Sequence, residues 1–260
     1  RVPEGHSTMR KIHNIGIGAG DPDNITVQAI NGLNAVDVFF VIDKGEEKDD
    51  LVALRRHLCQ KYIRNAGYRI VEARDPERDR KAKAYEAAVE DWYEKRARIF
   101  ERMMLEELGD DGTGGFLVWG DPTLYDSTIR IVELIRKRGQ VAFEYEVIPG
   151  ISSVQALVAK HRLPINRIGE AIHITTGRKL AEGLPPGVTN AAVMLDSQNA
   201  FRTADPEAEI YWGAYIGTAN EILISGKLRD VGAAIEATRA AAREKHGWIM
   251  DTYLLRYPQE

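Results

Sequence analysis

Cysteine is nearly missing from this 260-residue chain. Cys59 stands alone, which excludes an intramolecular disulfide and any thiolate-rich zinc or iron–sulfur site. A single thiol in an otherwise ordinary composition reads as a small apolar residue in a reducing compartment. Long apolar runs are missing too: the longest, Val38 to Ile42, falls far short of the roughly 20 residues that cross a bilayer, and no signal-peptide pattern opens the chain. The expectation is a cytoplasmic protein with no membrane partner. Positive charge is not in excess, because 35 Lys and Arg stand against 39 Asp and Glu for a net charge of -4. That balance argues against a dedicated nucleic-acid binder. His13, His57, His161, His173 and His246 form neither a His-Glu-x-x-His pattern nor a tight ligand group, so no metal is expected. Arg1 to Thr8 show no hydrophobic period and precede Met9; they read as an expression-tag remnant, and His6 is discounted with them.

What remains is the composition of a soluble globular protein, 44% hydrophobic and 28% charged, long enough for one large domain or two ordinary ones. The first part alternates strand and helix. Lys11 to Ile17 reads as a strand running into Gly16, Gly18 and Gly20, after which Asp23 or Asn24 caps a helix with Val27, Ile30 and Leu33 on one face. Val36 to Ile42 reads as a strand buried on both faces, Asp49 to Ala66 as a helix and Tyr68 to Ala73 as a strand. Lys81 to Leu108 is a long helical pattern whose Met and aromatic stripe reads as packing surface. Phe116 to Trp119 and Val141 to Ile148 are further strands, each followed by a helical pattern. Beyond Leu163 the rhythm breaks. Strands are expected at 171–176, 190–195, 209–216, 221–225 and 248–256, and only Asp230 to Lys245 is clearly helical. The chain therefore divides into an N-terminal α/β domain, 9–163, and a C-terminal α/β domain, 164–260, with Pro185-Pro186 as an alternative linker.

Four loops carry the candidate chemistry. Gly16-Ile17-Gly18-Ala19-Gly20-Asp21 follows a strand and invites a dinucleotide-binding reading, but Asp21 stands where the third glycine is required and places an anion where a pyrophosphate would approach. Trp119-Gly120-Asp121-Pro122 lets backbone come close to a ligand beyond a buried strand. Pro149-Gly150-Ile151-Ser152-Ser153 offers two hydroxyls, each also suited to capping a helix. Tyr215-Ile216-Gly217-Thr218 is a small-residue break between two apolar strands. Singly, each is a common turn.

In order, the four segments resemble the tetrapyrrole methylase family of S-adenosylmethionine-dependent enzymes over Lys11 to Tyr257, with Ala19 where the opening turn usually has proline. The resemblance implies a two-domain α/β fold: a mostly parallel N-terminal sheet with helices, a mixed-sheet C-terminal domain and a cleft between them, in a homodimer. It implies S-adenosylmethionine as cofactor, leaving as S-adenosylhomocysteine, with Gly120, Asp121, Ser152, Ser153 and Gly217 at cofactor positions and Ala19, Trp119, Leu124, Tyr125 and Leu195 lining the pocket. Phe39 to Lys48, the Asp75 to Arg80 turn and Ala171 to Arg178 narrow the resemblance within the family. They imply methylation of ring carbon C-1 of precorrin-5 with loss of its acetyl group as acetate. Asp43 matches an acidic proton acceptor of related methylases, although pairing with Lys44 or capping the next helix accounts for it equally well. A polycarboxylate substrate calls for cations, and Lys44, Arg74, Arg78, Arg80, Arg178 and Lys179 are the candidates, Lys44 and Arg178 foremost. Two other readings stand beside this one. The same fold acts on another precorrin carbon, an RNA ribose or a protein residue, or the chain is a non-catalytic nucleotide-binding module.

Overall fold

The computed structural model describes residues 9–43, 49–65, 67–76 and 85–258. The tag expected at 1–8, Lys44, Arg78 and Arg80 lie outside the described residues, as does the side chain of Asp43. The chain forms two compact units, Arg1–Gly18 with Pro22–Ile151, and Ala19–Asp21 with Ser152–Glu260.

The first unit is built on a five-stranded sheet ordered β3-β2-β4-β1-β5, from β1 (Arg10–Gly16), β2 (Val38–Asp43), β3 (Arg69–Arg74), β4 (Thr113–Val118) and β5 (Phe143–Ile148). Every pairing in it is parallel. Parallel strands need helical crossovers, and these cover both faces. On one face α1 (Val27–Ala35) and α2 (Asp49–Tyr62) bring Ala29, Leu33, Leu58 and Cys59 onto Ile15, Phe39, Leu117 and Ile148. On the other, α3 (Tyr85–Glu107) and α4 (Thr128–Arg138) bring Phe100, Met104, Ile131 and Ile135 onto Ile12, Phe40 and Phe116. The Met and aromatic stripe of α3 is thus core, with Phe100 and Phe116 rings 4.5 Å apart. Cys59 is 1% exposed, and burial pushes its thiol up to about 11, as suits an apolar filler.

Two local expectations are corrected. The cap of α1 is Thr26, whose Oγ1 accepts the Ala29 N–H at 3.0 Å; Asp23 and Asn24 form a short 3-10 turn of their own. Asp23 instead takes the Lys61 ammonium at 2.5 Å, which holds its carboxyl below the usual range. The buried face of α1 is Ala29, Gly32 and Leu33, and Val27 is 73% exposed.

The second unit carries a mixed sheet ordered β6-β7-β10-β8-β9, from β6 (His173–Thr176), β7 (Asn190–Met194), β8 (Glu209–Ala214), β9 (Ile222–Lys227) and β10 (Asp251–Arg256). Only β6–β7 is parallel; β10 runs antiparallel to both β7 and β8, so those two strands end on the same edge. Besides α5 (Ser153–Lys160) and α7 (Leu228–His246), a five-residue helix, α6 (Gly177–Ala181), appears where the sequence shows too short a pattern to call. The start of α5 is tied to β10 by Ser153 Oγ and Thr252 Oγ1, 3.0 Å apart, and α7 contributes Ile235 and Ala242 to a core of Trp212, Tyr253 and Phe201. No described helix is long and apolar enough to cross a membrane.

Candidate functional site

In the first unit, the C-terminal ends of the three adjacent strands β4, β1 and β5 converge on backbone. Gly16 closes β1, Gly120 follows β4 and Gly150 follows β5; a Cβ on Gly150 would lie 2.1 Å from the Gly120 carbonyl oxygen, and one on Gly16 would lie 2.6 Å from the Gly150 nitrogen. Only hydrogen fits at the Gly16 and Gly150 Cα atoms. The approach is locked by a bridge between Gly18 and Gly120, in which Gly120 N donates to Gly18 O at 2.8 Å.

Asp121 finishes the arrangement. Its Oδ2 accepts the Gly150 N–H at 2.8 Å, and its Oδ1 accepts the Thr123 N–H at 2.8 Å and the Thr123 hydroxyl. Burial opposes its charge, but those donors outweigh it and hold the carboxyl below the usual carboxylate range. Leu124 stays in the same turn through its N–H to Asp121 O at 3.3 Å, and Tyr125 is exposed with φ 52°. The Trp119 ring packs beside the apolar cluster of Ile15, Phe39 and Leu117, and its indole Nε1 is buried without a hydrogen-bond partner among the described residues.

In the second unit, the loop after β8 meets the short segment Ala19–Asp21. A Cβ on Gly217 would fall 2.5 Å from Asp21 N, and Gly217 itself has φ 79°. Its N–H donates to Glu221 Oε2 at 2.7 Å, and Thr218 closes the turn with N and Oγ1 both on Tyr215 O, at 3.0 and 2.8 Å. Ala19 is 3% exposed. Ser152 caps α5 in a reciprocal box with Gln155, whose Oε1 accepts the Ser152 N–H at 2.8 Å. Ser153 reaches Thr252, which pairs with Met194, so the start of α5 stands beside the end of β7, one residue from Leu195.

Leu195 and Tyr215 each follow a strand with a left-handed backbone, φ 54° and 50°. Neither is glycine, so the conformation costs free energy that the surroundings must supply. Below Leu195, Asp196 is clamped: Oδ2 accepts Tyr253 OH at 2.8 Å and Ala200 N at 2.7 Å, Oδ1 accepts Gln198 N at 2.9 Å, and its carbonyl takes Arg239 Nη2. Arg239 Nε in turn pairs with Asp251 Oδ2 at 2.9 Å, which also accepts Trp212 Nε1 at 2.9 Å. Burial pushes the Asp251 carboxyl up, against the pull of Arg239 and Trp212. Beyond Tyr215, the phenol donates to Trp248 O at 2.6 Å.

The expected cofactor residues therefore divide between the two units. Trp119, Gly120, Asp121, Leu124 and Tyr125 lie in the first, and Ala19, Ser152, Ser153, Leu195 and Gly217 in the second. Asp43 ends β2 opposite Arg74 of β3. Arg178 is exposed in α6, and Lys179 beside it is paired with Glu182 at 2.6 Å. Sequence reasoning missed Asp196, Arg239 and Asp251. The signal was the spacing Ile235, Arg239, Ala242, which sets an arginine on the apolar face of α7.

Comparison with known proteins adds four findings. The family model described as Tetrapyrrole (Corrin/Porphyrin) Methylases matches residues 11–232. A protein of Sinorhizobium sp named precorrin-6A synthase [deacetylating] is 55% identical over 249 residues, covering 95% of each chain. A solved structure described as a putative cobalamin synthesis related protein (CobF) from Corynebacterium diphtheriae superposes with TM-score 0.83 at 42% identity, over 95% of this chain and 98% of that one. The fold is also that of a uroporphyrin-III C-methyl transferase from Thermus thermophilus complexed with S-adenosyl homocysteine, TM-score 0.57 at 17% identity over 95% and 97% of the two chains.

Proposed function

The chain belongs to the tetrapyrrole (corrin/porphyrin) methylases, and from that premise we propose that it makes precorrin-6A from precorrin-5 in cobalamin biosynthesis. The observation that carries the reading is 55% identity across 95% of both chains to a protein named for that deacetylating synthesis. One methyl group goes from S-adenosylmethionine to ring carbon C-1, the bond between ring and acetyl carbon breaks, and water supplies the oxygen with which the acetyl group leaves as acetate.

S-adenosylmethionine, when bound, supplies a methyl group already activated on a sulfonium, which leaves positioning and desolvation to the protein. It has a carboxylate, a ribose and an adenine but no phosphate. A cradle of converging backbone at Gly16, Gly120 and Gly150, with an unpartnered indole N–H at Trp119, suits such a molecule better than a cationic phosphate loop would. The residues we assign to binding it are Ala19, Trp119, Gly120, Asp121, Leu124, Tyr125, Ser152, Ser153, Leu195 and Gly217. Asp121 acts chiefly by fixing the Gly150 N–H and its own turn, since both of its oxygens already accept hydrogen bonds. Asp43 accepts the proton released as the ring or the attacking water reacts, and Lys44 and Arg178 bind substrate carboxylates. On the same reading the enzyme is a cytoplasmic homodimer with no metal, acting on a small tetrapyrrole without nucleic acid or membrane.

The test is release of S-adenosylhomocysteine from incubations with precorrin-5. The wild type is expected to release it, and Asp43→Asn to turn over at least about tenfold more slowly with unchanged S-adenosylhomocysteine affinity, as loss of a general base implies. Unchanged turnover removes Asp43 from the mechanism. No release by a wild type that still binds the cofactor points to another acceptor or to a non-catalytic module.

A further inference from the structure

Two neighbouring arginines of α2 meet different fates. Arg55 and Arg56 line one small cavity with Phe39 and Val41 of β2, Ile70 of β3 and Leu117 of β4. Arg56 is satisfied, its Nη2 donating to Glu72 Oε1 at 3.0 Å. Arg55 is half-buried against the same apolar wall and makes no hydrogen bond or ion pair among the described residues. The carboxylate whose charge reaches it is Asp126, which already accepts the Thr128 N–H at 2.6 Å at the start of α4.

A guanidinium does not escape burial by losing its proton at neutral pH, so a charge held in an apolar wall without an anion is a cost the fold carries. Burial does lower the Arg55 pKa, with Asp126 pulling the other way. An arriving carboxylate removes that cost, and the planar fork of arginine matches its two oxygens. The position is apt as well. Asp126 belongs to the loop that follows β4 and carries Gly120 to Tyr125, at the carboxyl edge of the sheet where open α/β folds take their ligands. Neither Arg74, which is exposed at the end of β3, nor Arg96, which is paired with Asp75 at 2.8 Å, combines burial with a vacant fork.

We propose that Arg55 binds a carboxylate of the tetrapyrrole substrate. This assignment rests on the proposed reaction, which gives the enzyme a polycarboxylate substrate. It makes Arg55 a substrate-binding residue whose removal weakens the acceptor and leaves the methyl donor untouched.

The experiment compares wild type, Arg55→Gln and Arg55→Lys in two assays: steady-state turnover of precorrin-5, and binding of uroporphyrin III, a stable octacarboxylate tetrapyrrole, followed by its absorbance. Arg55→Gln is expected to raise KM for precorrin-5 on the order of 10- to 100-fold, to weaken uroporphyrin binding in parallel and to leave KM for S-adenosylmethionine unchanged. Arg55→Lys is expected to fall between, because it keeps the charge and loses the fork. Equal tetrapyrrole KM and affinity in wild type and Arg55→Gln would overturn the proposal while leaving the reaction standing. A wild type inactive on precorrin-5, with uroporphyrin binding still lost in Arg55→Gln, would overturn the reaction and support Arg55. Should Arg55→Gln fail to fold, Arg55→Lys decides by the same selective rise in tetrapyrrole KM or its absence.

Discussion

The two units shape their strand ends by opposite means. In the first, β1, β4 and β5 run into Gly16, Gly120 and Gly150, and backbone approaches backbone because no side chain intervenes. In the second, β7 and β8 run into Leu195 and Tyr215, residues with full side chains in left-handed conformations. There the turn is imposed from below, by the buried chain of Asp196, Arg239 and Asp251 and by the Tyr215 hydroxyl on Trp248. Glycine gives a tight turn by removing atoms; a network gives one by restraining them. The first is robust to distant change, whereas the second depends on every member of the network.

Breaking the network should have the largest effect. Arg239→Leu leaves the Asp251 carboxylate buried without its cation, and about 3–5 kcal/mol of stability should be lost, read as a shift in the urea midpoint. Replacing both partners, with Asp251→Asn added to Arg239→Leu, should recover part of that loss; no recovery would mean the pair does not act as a unit.

Next in size is the glycine convergence. Gly150→Ala drives a methyl against the Gly120 carbonyl, and because backbone on both sides is tied by strands the expected cost is about 3 kcal/mol, at the upper end of overpacking. A substitution within 0.5 kcal/mol of wild type would contradict the geometry.

Asp121→Asn is smaller and has a pH signature. Its folded carboxyl titrates below the ordinary range, so the stability it contributes is present above the unfolded-state value and is lost as pH falls through the folded one. The variant should be destabilised by about 1–2 kcal/mol at neutral pH and should converge with wild type in acid, as charge-assisted bonds to Gly150 and Thr123 are lost in both. A gap that persists unchanged below that range would assign the effect to packing.

The smallest effect sharpens the contrast most. Leu195 is 65% exposed, so Leu195→Gly relieves the left-handed strain at little packing cost and should change stability by less than about 1 kcal/mol in either direction. Its KM for S-adenosylmethionine should nevertheless rise, since the restrained loop is lost. A large loss of stability would show that the leucine side chain, not its backbone, matters there.

The same contrast explains what the sequence reveals. Glycines after predicted strands are conspicuous, so Gly16, Gly120 and Gly150 mark the strand-end turns by residue type, and the parallel α/β layer follows from the alternation around them. Leu195 and Tyr215 look like ordinary strand residues, and their backbone angles arise from contacts with β10 and α7 that lie far along the chain. Local rules fail for the same reason at Asp23, which sequence places as a helix cap and which Lys61, distant in sequence, draws away. Leu195 entered the candidate site through family resemblance, whereas Arg239 was marked only by its spacing on the apolar face of α7, and Asp196 and Asp251 by no pattern at all. Arg55 escaped because an arginine in an amphipathic helix reads as surface until the wall behind it is known.

The most direct test of the whole account is mass spectrometry of one incubation: precorrin-5, S-adenosylmethionine with a carbon-13 methyl group, and a parallel assay of acetate. The account predicts one labelled methyl group in the tetrapyrrole and one acetate released for each. Label in the tetrapyrrole with no acetate would contradict it.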